Sequence, residues 1–138
     1  MTGAQTRTAL EKLTRVWRDG PEALAGKAII EFLAEHLDSK YLPVTLFFEV
    51  ARPAGVTDAG AILNIVNYFT GADLPLLNLR LEYIDEDEIY LLEPDEVRPA
   101  TDKKINPITG LFDPDLGKKL FVCYTVSDSA KEILGRQL

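Results

Sequence analysis

The sequence predicts an α+β fold: an antiparallel or mixed sheet of about four strands with helices packed on at least one face, in the order α-α-β-α-β-β-β-α. Three observations lead there. Apolar residues recur at helical spacing over the first 38 residues. Two later segments, 77–83 and 120–126, alternate apolar and other side chains as strands do. Proline, glycine and acidic clusters punctuate the chain between these runs.

Residues 1–6 read as a loose start, and a first helix is expected at about 7–18. Leu10, Leu13 and Trp17 fall on one face, and Thr8 with Glu11 has capping-box spacing. Trp17 suits a core position first and a partner anchor second. Asp19-Gly20-Pro21 reads as a stop and restart, because proline fits the first helical turn, where its missing N–H is not needed. The second helix is expected over 21–38, with Leu24, Ala28, Phe32 and Leu33 on one face.

Pro43 then introduces Val44–Val50, whose branched and aromatic residues favour a strand. A helix follows at about 58–69, capped by Thr57 or Asp58, with Ile62, Ile65, Val66 and Phe69 on its apolar face. Leu77, Leu79, Leu81 and Tyr83 form the clearest strand. Asp85–Glu88 makes an acidic turn into Ile89–Leu92, which gives an antiparallel hairpin. The prolines and glycines of 93–117 read as a long irregular loop with a short strand around Val97, and with Leu111 and Phe112 anchoring it to the core. Leu120–Val126 reads as a strand buried on both faces. A closing helix at about 129–136 carries capping-box spacing at Ser129 and Glu132.

A chain of 138 residues with 46% hydrophobic residues is sized for one globular domain, expected here to span 1–138. Its net charge of −7 disfavours nonspecific nucleic-acid binding and fits a basic protein partner better. The single cysteine, Cys123, excludes an internal disulfide and reads as a buried thiol in a reducing, cytoplasmic setting. No apolar run approaches the roughly 20 residues needed to span a bilayer, so no membrane contact is expected. The lone histidine, His36, lies about 100° around the helix from the Glu31–Glu35 line, and no His-Glu-x-x-His pattern exists, so no metal site is expected. No phosphate loop or dinucleotide fingerprint is present, and no cofactor is expected.

Two clusters remain as candidate sites. The acidic turn and its flanking tyrosines (Tyr83, Asp85, Glu86, Asp87, Glu88 and Tyr90) suit contact with a basic partner, since tyrosine is large, rigid and amphipathic. In the 106–119 loop, Asp113 and Asp115 suit water, metal or a substrate hydroxyl, while Thr109 and Lys118 suit an anion. Ordinary turn chemistry accounts for the same loop residues. The reading is a non-enzymatic acidic protein-interaction or adaptor domain, with a homodimer through an open sheet edge as a further possibility. A small-molecule sensor domain and a carboxylate-dependent enzyme using the 109–118 loop are the alternatives.

Overall fold

The computed structural model describes residues 4–135, with side chains from Arg7 onward. Six α-helices and four strands follow one another along this stretch. They are α1 (Ala4–Trp17), α2 (Pro21–Ala34), β1 (Leu42–Pro43), α3 (Val44–Ala51), α4 (Ala59–Phe69), β2 (Leu77–Asp85), β3 (Glu88–Leu91), α5 (Pro94–Lys103), β4 (Leu120–Val126) and α6 (Asp128–Leu134). The strands form one four-stranded sheet in the order β1-β4-β2-β3. The fold is therefore α+β, with helices packed against a small sheet.

Strands β2 and β3 are antiparallel, with Tyr83 opposite Tyr90 and Asp85 opposite Glu88. Beside β2, the Ile84 N–H donates to the Lys119 carbonyl at 2.8 Å, and the Ser127 N–H donates to the Leu76 carbonyl at 3.0 Å. One position number rises while its partner falls, so β2 and β4 also run antiparallel.

The chain divides into two compact units, one of residues 1–78 and 124–138, the other of residues 79–123. The first unit is a helical cluster. Helix α2 packs on α1, α3 and α4, and α1 packs on α6. Its core holds Leu13, Ile29, Ile30, Leu33, Phe47 and Phe69, with Phe47 edge-on to Tyr124 at 5.5 Å between ring centres. Gly26 sits where three helices meet. A Cβ there would lie 2.9 Å from Leu13 of α1 and 2.9 Å from Ile65 of α4, so the missing side chain is what lets the helices approach. Trp17 is half-buried against this core and edge-on to Tyr68.

Several expectations need correction. The segment 44–50 is helical, not a strand. Val44, Phe47, Phe48 and Ala51 are spaced i, i+3, i+4 and i+7, and Phe47 and Ala51 are fully buried, so burial of a helical face overrides the β-preference of the individual residues. Pro43, extended at φ −68° and ψ 153°, sets the chain up to enter that helix. The first helix starts earlier than residue 7, so the expected loose start is helical at 4–6, while its residues 1–3 lie outside the described residues. The second helix stops at Ala34 rather than 38: the Glu35 and His36 N–H groups turn back to the Phe32 and Leu33 carbonyls at 3.1 and 3.0 Å. Ser127, not Ser129, caps α6 by accepting from the Ala130 N–H at 2.9 Å.

The second unit has its own small core of Tyr83, Leu92, Ala100 and Leu116, with Leu81, Tyr90, Val97 and Leu120 packed around it. The expected irregular loop over 93–117 in fact carries α5 and a 3-10 turn at Leu116–Lys118. Two prolines hide that helix in the sequence. Pro94 occupies the first turn, where no N–H is required, and Pro99 removes one internal bond. A reciprocal capping box between Glu93 and Glu96 holds the start, and burial of Ala100 holds the inner face. Strand β4 is interior in the sheet order, but only from Cys123 onward is it largely buried; Phe121 and Val122 are exposed, against the expectation of burial on both faces.

Candidate functional site

The 104–113 loop of the second unit is a small hairpin organised by one side chain. Ile105 and Phe112 form an antiparallel bridge. The Asn106 N–H donates to the Leu111 carbonyl, the Gly110 N–H to the Asn106 carbonyl, and the Asp113 N–H to the Lys104 carbonyl, each at 2.8 Å. Gly110 turns the tip at φ +73°, a left-handed conformation that glycine adopts without Cβ strain.

Asn106 is buried, and all of its amide is used. Its Oδ1 accepts from the Ile108 N–H at 2.8 Å and the Thr109 N–H at 3.3 Å. Its Nδ2 donates to the Tyr83 hydroxyl at 3.3 Å and to Asp113 Oδ2 at 3.2 Å. An amide offers two donors and an acceptor oxygen with two lone pairs, so this is a full complement. The network continues outward. Lys119 Nζ lies 3.0 Å from Asp113 Oδ2 and 3.5 Å from Asp85 Oδ2, and the Tyr83 hydroxyl donates to Asp85 Oδ2 at 3.3 Å.

This frame ends in an apolar tip. Leu111 is 68% exposed, Phe112 66% and Ile108 42%. The expectation that Leu111 and Phe112 anchor the loop to the core is therefore overturned: the buried anchor is Asn106, and the apolar pair points into solvent. Leu116, four residues beyond Phe112, supplies the buried apolar contact instead.

The electrostatics of the network fix charge rather than poise it for proton transfer. The Lys119 ammonium beside Asp113 holds that carboxyl below its ordinary range, and the Asn106 amide adds to the effect. Reciprocally, the Asp113 carboxylate pushes the Lys119 ammonium up. A general base at neutral pH needs a shift in the opposite direction. Asp113 also accepts from the Asp115 N–H at 3.0 Å, so its oxygens are engaged by the fold itself.

Of the sequence-predicted residues, the structure brings Tyr83, Asp85 and Asp113 into this one network. Tyr83 is only 4% exposed, so its ring belongs to the core and is not a contact surface. Thr109 caps the tip by accepting from the Leu111 N–H at 3.2 Å. Asp115 and Lys118 are exposed near the 3-10 turn and join no cluster with Thr109. Glu86 and Asp87 form the exposed turn of the β2–β3 hairpin, with Glu86 at φ +53°, and exposed Glu88 begins β3. Tyr90 donates its hydroxyl to Glu96 at 2.5 Å, which pushes the phenol up to about 12 and lowers the Glu96 carboxyl.

The remaining reactive side chains are occupied locally. The His36 ring stacks on Phe32 at 4.0 Å, with Nδ1 at 2.8 Å from the Phe32 carbonyl. Cys123 is buried, and desolvation pushes its thiol up, with Glu82 adding to the shift. Among the described residues no group of three or more His, Cys, Asp or Glu side chains is placed to hold a metal ion, and no helix is long and apolar enough to cross a membrane. A surface groove of about 490 Å³ between α1 and α2 is floored by Leu10, Leu13 and Leu24, and it contains none of the residues singled out above.

Two features escaped the sequence reading: Asn106 as organiser and Lys119 as the shared cation. The signal for Asn106 was present as Asn-Pro, a turn-initiating pair. Lys119 was legible only as half of a lysine pair. No family model, curated protein or solved structure matches this chain.

Proposed function

We propose that this chain is a protein-recognition domain that engages its partner through the Ile108–Phe112 tip. The observation that carries the reading is the exposure of Leu111 and Phe112, at 68% and 66%, on a loop whose backbone is held by a buried amide. Large apolar side chains in solvent raise no stability by burial, whereas their fixed presentation lowers the ordering cost of binding. A loop with a mobile backbone would have to be ordered by its partner at about 1–2 kcal/mol per residue fixed. Here Asn106 and three short backbone bonds already hold the loop. Aromatic residues such as Phe112 are enriched at the buried cores of protein interfaces.

The engagement of both Asp113 oxygens by the fold, with its carboxyl held below the ordinary range, supports the same reading over carboxylate catalysis at this loop. Its role is to tie the tip to Lys119 and thereby to β4. The test is photo-crosslinking in the native cell. A photoreactive phenylalanine analogue at position 112 is expected to yield a discrete protein adduct that disappears when Leu111→Ser is added. The same analogue at Glu49, exposed in the other compact unit, is expected to yield none. Equal labelling from both positions, or no discrete adduct at 112, overturns the proposal.

A further inference from the structure

Among the described residues strand β3 is an edge of the sheet, with no strand beyond it in the order β1-β4-β2-β3. Main-chain bonds alternate along an antiparallel pair. The Leu92 N–H donates to the Leu81 carbonyl at 2.9 Å, and the register pairs Tyr83 with Tyr90 and Asp85 with Glu88. The bonded partners are therefore Leu81/Leu92, Tyr83/Tyr90 and Asp85/Glu88. That leaves the N–H and C=O groups of Ile89 and Leu91 turned outward, away from β2. Ile89 is also 69% exposed, an apolar side chain standing beside an open row of donors and acceptors.

Charge decides what such an edge accepts. Exposed Glu86, Asp87 and Glu88 lie at one end of β3, and exposed Glu93 and Asp95 lie at the other. Among the described residues none of these five has a cation within ion-pair distance; Lys119 pairs with Asp85 and Asp113 instead. A second copy pairing antiparallel about Tyr90 would set Asp87 of each copy against Glu93 of the other. Like charges facing across a strand pair oppose that arrangement. A cationic strand meets attraction at both ends and finds the same main-chain groups.

Resting on the protein-recognition reading above, we infer that the β3 edge accepts a basic, extended peptide segment as a fifth strand, bonded to Ile89 and Leu91. The segment has apolar residues at its centre, one of them against Ile89, and lysine or arginine at both ends. Strand addition of this kind draws affinity from main-chain bonds and register from the flanking side chains.

The probe is a blocked synthetic peptide of alternating valine and threonine flanked by lysines, followed by fluorescence anisotropy on the full chain. Binding is expected to weaken with salt and to vanish when the flanking lysines become glutamates. N-methylation of the peptide's bonding edge removes its main-chain donors and leaves its charge intact; it is expected to weaken binding about tenfold or more. Leu91→Pro removes one outward N–H without touching a bond to β2 and is expected to act in the same direction. Equal affinity of the N-methylated peptide overturns strand addition and leaves only charge attraction. Absence of binding by the lysine-flanked peptide overturns the inference, as does a concentration-dependent dimer abolished by Leu91→Pro, which would make a second copy the occupant. Phe112→Ala is expected to leave peptide affinity unchanged, so the failure of this edge and the failure of the Leu111–Phe112 tip are read separately.

Discussion

Replacing Asn106 by alanine removes four hydrogen bonds at once, and the structure indicates how much each is worth. The two backbone donors it releases, Ile108 N–H at 2.8 Å and Thr109 N–H at 3.3 Å, belong to exposed residues and regain water. Each then costs about 1 kcal/mol, the net value of a typical bond, rather than the full penalty of a buried orphan. On the inner side, the Tyr83 hydroxyl keeps Asp85 and the Asp113 carboxylate keeps Lys119, so neither is stranded. The lost contacts of a buried amide add to this, and the total comes to about 2–4 kcal/mol. Urea unfolding measures that figure, and amide hydrogen exchange at Ile108 and Thr109 locates it. Both amides are expected to exchange faster in Asn106→Ala, while amides of α2 are unchanged relative to global stability. Asn106→Asp sharpens the test. The new carboxyl keeps both acceptor bonds but turns an oxygen toward Asp113, so its folded pKa lies above its unfolded value of about 4. Sign follows from linkage: the variant's stability is retained below that value and lost as pH rises through the folded pKa. A loss below about 1 kcal/mol in Asn106→Ala, or unchanged exchange at Ile108 and Thr109, would refute the claim that this amide organises the loop.

Three further outcomes are expected. Glu86 holds φ +53° in a turn where a Cβ is strained, so Glu86→Gly raises stability by about 0.5–1 kcal/mol in thermal or urea unfolding. Asp113 has a folded pKa below its ordinary value and Lys119 one above; their mutual stabilisation is therefore present above the unfolded carboxyl value, lost as pH falls through the folded Asp113 pKa, and lost at the alkaline end as pH rises through that of Lys119. Acid titration followed by NMR at Leu111 and Phe112 shows this, and Asp113→Asn abolishes the acid-side response. Phe47, fully buried and edge-on to Tyr124, leaves a cavity on truncation, so Phe47→Ala costs about 3–5 kcal/mol in urea unfolding.

What was legible in the sequence follows from which signals are local. The β2–β3 hairpin was readable because Leu77–Tyr83 alternates strictly and the acidic pair between the strands admits only a short turn. Helix α4 was readable because Asp58 caps it and its apolar face is unbroken. Val44–Ala51 was not, because valine and phenylalanine favour strands locally and only the buried pair Phe47 and Ala51, set by tertiary packing, selects the helical period. Helix α5 was obscured by Pro94 and Pro99, which usually mark loops. The candidate site was half visible. Asp113 and the acidic turn stood out by charge, whereas Asn106 and Lys119 acquire their roles only when Tyr83, Asp85 and Asp113 converge on them from separate segments.

The crossing at Gly26 carries a consequence for how this sequence can drift. Leu13, Gly26 and Ile65 come from three different helices, yet they share one volume. A relative that acquires alanine at 26 must shed carbon at 13 or 65, and one that keeps leucine and isoleucine there must keep glycine. Across any set of relatives, these three positions are expected to change together, and their covariation would report the three-helix crossing without a structure.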